Sequence, residues 1–214
     1  MPTIDRSLSA CRYYPSGTDY TMQSGDTWFY EPTVPLRTLD ELIYSYHQTV
    51  GHNTNMELDF AIDRDGLLRE DHAVFYKRFG DWMRSCYGSP LAQGGTVVIL
   101  NDEVEGTGTN GGIGAVASVS LLLDGAAQVF DRVVLTEDQT KGQIVRGWLV
   151  EWSADNGKTW TKFGNGSSIG NKRIVLAKGA MSHAATDVRL NITASYGGTP
   201  SAVLKVGSSS QSSP

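Results

Sequence analysis

Tyr46-His47-Gln48-Thr49-Val50-Gly51-His52-Asn53-Thr54-Asn55-Met56-Glu57-Leu58-Asp59-Phe60-Ala61-Ile62-Asp63-Arg64-Asp65-Gly66, preceded by Trp28-Phe29-Tyr30-Glu31-Pro32, decides the reading of the chain. Just upstream, Thr38-Leu39-Asp40-Glu41 has the Thr-x-x-Glu spacing of a capping box, in which hydroxyl and carboxylate satisfy the free amides of a helix start. Leu39, Leu42, Ile43, Tyr46 and Val50 then recur at helical spacing and Gly51 stops the run, which predicts a helix over about residues 38–50. Residues 56–62 are short and mostly apolar, with Glu57 and Asp59 on alternate positions, and Asp63-Arg64-Asp65-Gly66 reads as a turn. That is a strand leading into a loop. Phe75, Phe79, Trp82, Met83 and Cys86 mark a second helix over about 70–86, with Glu70 and Asp71 at its positive N-terminal end and Gly88 and Pro90 closing it.

From residue 94 onward the texture changes to short β-branched runs punctuated by Gly, Asn and Asp. Seven strand candidates, at about 96–100, 116–123, 130–135, 147–152, 173–176, 187–193 and 202–206, follow the spacing of an all-β sandwich. Asp155-Asn156-Gly157-Lys158 is a hairpin turn signal. Residues 106–114 read as a flexible loop whose Gly-x-Gly pieces lack the strand-to-helix context of a nucleotide site, and 208–214 as a disordered polar tail.

With 214 residues and 40% hydrophobic content, the chain can bury one large core or two small ones. A net charge of −5, with basic residues scattered, gives no stripe for phosphate neutralisation, so no nucleic-acid partner is expected. No run approaches the length of a membrane span, and Met1-Pro2-Thr3-Ile4-Asp5-Arg6 lacks the apolar core of a signal peptide, so no membrane partner is expected either. Cys11 and Cys86 are too few for a zinc cage and are read as free thiols. His47 and His52 straddle a helix end without partners at ligand spacing, and Asp63-Arg64-Asp65-Gly66 has its glycine at the fourth place rather than the sixth, so neither a metal site nor a calcium loop is expected. Asn165-Gly166-Ser167 and Asn191-Ile192-Thr193 match the glycosylation acceptor pattern.

The Trp-Phe-Tyr element, the helix ending in Thr49-Val50-Gly51-His52-Asn53-Thr54-Asn55, and the strand running into Ile62-Asp63-Arg64-Asp65-Gly66 resemble the closing segment of the catalytic barrel of α-L-fucosidases, glycoside hydrolase family 29. Residues 130–138, 142–143 and 168–174 look like the β-sandwich that many of these enzymes carry after the barrel. The resemblance implies a fold class of α/β followed by all-β: a partial TIM barrel of the last helix and strand units over 1–92, a C-terminal β-sandwich over 93–207, and the tail over 208–214. It implies retaining hydrolysis of terminal α-L-fucose by the full-length family, a fucosylated glycan as partner, no cofactor, and a lysosomal or secreted setting. A full barrel takes about 250 residues. Helix faces bearing Leu42, Tyr46, Phe75 and Phe79 are therefore expected to lack their normal cover and to drive self-association.

Retaining hydrolysis needs a nucleophile and an acid/base, both carboxyl groups. Nothing early in the sequence resembles the family's nucleophile neighbourhood, so that residue is expected to be missing. Asp19 is the upstream acidic candidate for the acid/base; otherwise it is a solvated turn residue. Trp28 and Phe29 stand where the family places aromatics beside the sugar, and either stack on its apolar face or pack a barrel wall. Glu57 and Asp59, two apart on a strand, share a face. Trp148 and Trp152 are placed together on one strand face, as core or as a sugar platform, with Val150 on the other. Three functions are open: part of a fucosidase, a catalytically inactive carbohydrate-binding or structural module, and a minimal hydrolase built from Asp19 and Asp59 or a partner subunit.

Overall fold

The computed structural model describes residues 16–94, 98–100, 114–120, 126–140, 142–180, 182–196 and 200–209. Cys11 and residues 106–113 of the Gly-rich loop lie outside them.

The first part is a parallel two-stranded sheet backed by two helices. Strand β1 (Ser16–Thr21) pairs with β2 (Thr54–Asp59), and α1 (Leu39–Gln48) and α2 (Glu70–Tyr87) follow them in β-α-β-α order. The capping box forms as its spacing requires, with Thr38 Oγ1 accepting from the Glu41 amide and the Glu41 carboxylate accepting from Thr38 N at 2.6 Å. Tyr20, Met22, Met56, Leu58 and Phe60 pack with Leu42, Tyr46, Phe79 and Trp82 in one cluster. Leu42, Tyr46 and Phe79 are buried, which corrects the expectation that they lie uncovered: the two helices close over one face of β1 and β2, and Ile174 and Val134 from the second part complete the cluster.

That second part is a β-sandwich, and mostly β structure dominates the chain. One sheet orders β10 (Arg173–Leu176), β7 (Arg132–Glu137), β13 (Ala202–Gly207) and β3 (Ala92–Gly94); the other orders β4 (Val98–Leu100), β5 (Gly114–Ser120), β12 (Asp187–Ser195), β8 (Val145–Ser153) and β9 (Thr161–Gly166). A further pair joins β6 (Gln128–Phe130) to β11 (His183–Ala185). Phe130, Val133, Leu135, Val145, Trp148, Val150, Val188, Leu190, Ile192 and Leu204 fill the space between the sheets. Trp148, Val150 and Trp152 all reach this core, because a period of two puts residues 148, 150 and 152 on one face; Val150 is not on the opposite side. Trp148 is buried and serves as core, donating Nε1–H to the Ser168 carbonyl at 3.0 Å.

At the hairpin between β8 and β9, Asn156 and Gly157 take positive φ of 58° and 77°, and Ser153 Oγ accepts from the amides of Asp155 and Gly157. The tail begins later than its composition implies. Ser208 is buried, and Ser209 donates both its amide and its hydroxyl to Asp131; residues 210–214 lie outside the described residues.

The two parts are joined by polar contacts as well as by apolar ones. The Ile174 amide donates to Gly51 O at 2.9 Å, His52 bridges Arg173, and Asn53 Oδ1 accepts from the Asn171 amide at 2.6 Å.

Candidate active-site cleft

β1 and β2 run parallel in a register that sets Asp19 opposite Glu57 and Thr21 opposite Asp59. Alternation sends Tyr20, Met22, Met56 and Leu58 to the helices, so Asp19, Glu57 and Asp59 fall on the other face. Asp19 is thus a strand residue rather than part of a turn. It and Glu57 are exposed, and Asp59 is half-buried.

The aromatic pair reaches the same face through the loop that follows β1. Gln23, buried within that loop, ties its two limbs together: Nε2 donates to the carbonyls of Glu31 at 2.6 Å and Val34 at 3.2 Å, and Oε1 accepts from the Glu31 amide at 3.2 Å. Arg37 pins the base of the loop, donating Nε–H to Thr21 O at 2.7 Å and its terminal nitrogen to Asp26 at 3.1 Å while its guanidinium covers the Tyr20 ring. Gly25 and Asp26 adopt positive φ at the loop's sharp bend. Held so, Trp28 is 52% and Phe29 87% exposed among the described residues.

Asp19, Trp28, Phe29, Glu57, Asp59 and Phe60 line one open cleft of about 570 Å³. The structure therefore brings together every residue that sequence reasoning nominated here, and adds Phe60. Gln23 and Arg37, which position the aromatics, were missed; a lone glutamine and a lone arginine in a polar stretch carry no sequence signal for such roles. Aromatic faces beside three carboxyls can bury the apolar face of a sugar and accept hydrogen bonds from its hydroxyls.

Other nominated residues lie elsewhere. His47, packed between Tyr46 and Trp82, shares a hydrogen bond with the Tyr87 hydroxyl, and burial, aided by the charges of Arg132 and His52, pulls its pKa down to about 4. No cluster of three or more metal-ligating side chains occurs among the described residues. Asn165 is exposed on β9, whereas Asn191 sits within β12 and donates to Glu151 at 2.6 Å.

No protein-family model matches the chain, and no curated protein does. Solved structures do. A protein assigned as an α-L-fucosidase from Bacteroides ovatus is 26% identical with a TM-score of 0.69, over 91% of this chain and 30% of its own. A family 29 fucosidase from Ruminococcus gnavus, solved in complex with fucose, is 19% identical with a TM-score of 0.75, over 94% of this chain and 43% of its own. This chain shares its fold with the α-L-fucosidases of glycoside hydrolase family 29. A Bacteroides thetaiotaomicron protein assigned to the same activity aligns over 92% of this chain and 40% of its own, at 22% identity and a TM-score of 0.75. The chain thus spans less than half the length of these fucosidases.

Proposed function

We propose that this chain is part of an α-L-fucosidase, with β1-α1-β2-α2 forming two consecutive units of its catalytic barrel and residues from about 93 onward an accessory β-sandwich. A two-stranded parallel sheet that, among the described residues, has helices on one face only is unusual by itself, since parallel strands are normally covered on both faces. In a barrel the face away from the helices is the inner one, and active sites lie at the C-terminal strand ends. The Asp19, Glu57 and Asp59 face meets both conditions.

The observation that carries this reading is the single cleft shared by Asp19, Trp28, Phe29, Glu57, Asp59 and Phe60. Within it Trp28 and Phe29 would contact the deoxy sugar, with Asp19 as the acid/base candidate, while the nucleophile would come from a barrel strand outside this sequence. The complex of the Ruminococcus gnavus relative with fucose supports a terminal fucosyl residue of a glycan as ligand.

Two assays test it. Fucose titrated into the chain, followed by NMR, should shift resonances of Trp28 and Phe29. A chromogenic α-L-fucoside should be left intact by the chain alone and be hydrolysed when the sequence is joined to barrel strands of a family member. Absence of both effects overturns the proposal. Fucose binding without turnover in the joined protein would instead favour an inactive carbohydrate-binding module, and turnover by the chain alone, lost in Asp19→Asn, the minimal hydrolase.

A further inference from the structure

The second candidate site lies across the molecule, where the end of α2 meets the outer face of the β10-β7-β13-β3 sheet. A cavity of about 100 Å³ is lined there by Tyr87, Arg132, Val134, Thr136, Lys172 and Lys205 among others. Its geometry follows from the register. Val133 and Leu135 of β7 point into the sandwich core, so Val134 and Thr136 point outward, and Lys205 on β13 lies opposite Val134 on that same outer face. Lys172, the residue before β10, brings a second ammonium in from the other flank of β7.

The charge balance of this cavity is uneven. Arg132 is held by Asp131, its Nε–H donating to the carboxylate at 2.7 Å, so that pair is neutral. The side chains of Lys172 and Lys205 have no ion pair or hydrogen bond, and no carboxylate lines the cavity, among the described residues. Burial and the neighbouring charge of Lys205 both work against the charged form of Lys172, lowering its pKa. The carbonyl end of α2 offers only about half an elementary charge in return. Two ammonium groups converging without a carboxylate are unfavourable, and in a chain of net charge −5 acidic partners were abundant.

We propose that this cavity binds a small oxyanion of sulfate or phosphate type, with Lys172 and Lys205 as its charged donors and the Thr136 hydroxyl as a neutral one. The anion comes either free from solution or as an ester on a glycan. This site is separate from the fucose cleft and does not depend on that assignment.

The test is a thermal-shift and calorimetric titration of the full chain with sodium sulfate and sodium phosphate in the low millimolar range, with sodium chloride at matched ionic strength as the control. A saturable stabilisation by the oxyanions alone is expected, with affinity at least about tenfold weaker in Lys172→Gln/Lys205→Gln, since each charge-assisted hydrogen bond is worth a factor of this order. Glucose 6-sulfate against glucose separates the sources: tighter binding of the ester than of sulfate identifies a glycan substituent, and the reverse a free ion. A linear, non-saturating rise, equal in the double variant, is the general exclusion effect of sulfate and overturns the proposal. So does an equal response to chloride. Circular dichroism of the double variant shows that it is folded, and Thr136→Val, of nearly the same shape, gives an independent weakening.

Discussion

Asp19 and Glu57 occupy partnered positions in the β1–β2 register, with Phe29 exposed above the cleft that both carboxylates line. Strand pairing sets the two carboxylates, whereas the Gln23 and Arg37 hydrogen bonds set the aromatic loop. The contacts proposed for the ligand and the contacts that hold the fold are therefore separable. Phe29→Ala is expected to change stability by no more than about 0.5 kcal/mol, as for an exposed surface position. It should at the same time weaken fucose binding severalfold by removing a stacking face. Denaturant unfolding and a fucose titration of the same sample check both parts.

Gln23→Ala is expected to do the opposite. Its side chain is 1% exposed and satisfies three backbone groups of the loop. Losing it should cost roughly 2 kcal/mol and loosen the segment carrying Trp28 and Phe29. Hydrogen exchange at the Glu31 amide is the direct readout.

These contrasts mark how much the sequence revealed. Helix α1 was legible because a capping box and an apolar period agree, and β10 because a β-branched run is bounded by turn residues. β1 was not, since Ser16-Gly17-Thr18-Asp19-Tyr20-Thr21 has weak strand propensity and follows a proline; its pairing with β2 is a tertiary effect. Likewise β11, only three residues long, depends on its partner β6. The cleft residues were nominated one by one from resemblance and spacing. Their convergence rests on a parallel register and on hydrogen bonds from Gln23 that no local pattern announces.

Glu137 is a buried carboxylate that accepts from the amides of Ile144 at 2.6 Å, Val145 at 2.8 Å and Gly170 at 3.1 Å. Glu137→Ala leaves three donors without their acceptor and should destabilise the chain by roughly 3 kcal/mol. Glu137→Gln should be milder, as one amide oxygen can retain part of the acceptance. Equal midpoints for Glu137→Ala and the unmodified protein in urea would refute this role.

His47 gives the chain a pH response. Its folded pKa of about 4 lies below the 6.5 of the unfolded side chain, because burial disfavours the imidazolium between Tyr46, Trp82 and Tyr87. Between those values the unfolded state holds more protons, so stability falls as pH drops from about 6.5 and this contribution levels off below about 4. His47→Gln should flatten that part of the Tm-versus-pH curve, and an unchanged slope would assign the acid sensitivity to other groups.

Gly170 tests the junction between the two parts. Its φ is +69°, and a Cβ there would lie 2.2 Å from the Asn53 side chain, whose Oδ1 receives the Asn171 amide. Gly170→Ala therefore combines an unfavourable backbone conformation with a clash against the loop that carries the Gly51–Ile174 hydrogen bond. It should cost roughly 2–4 kcal/mol. The loss should fall on the docking of α1, α2, β1 and β2 more than on the sandwich core, since Val150 and Leu190 belong to the separate inter-sheet cluster. Limited proteolysis reads this out: Gly170→Ala should be cut between the two parts, at residues 87–94, faster than the unmodified chain and leave a protected β fragment. Equal cleavage rates in the two proteins would mean that the Asn53–Asn171 contact does not hold the parts together, leaving Ile174 and Val134 to supply the attachment through burial alone.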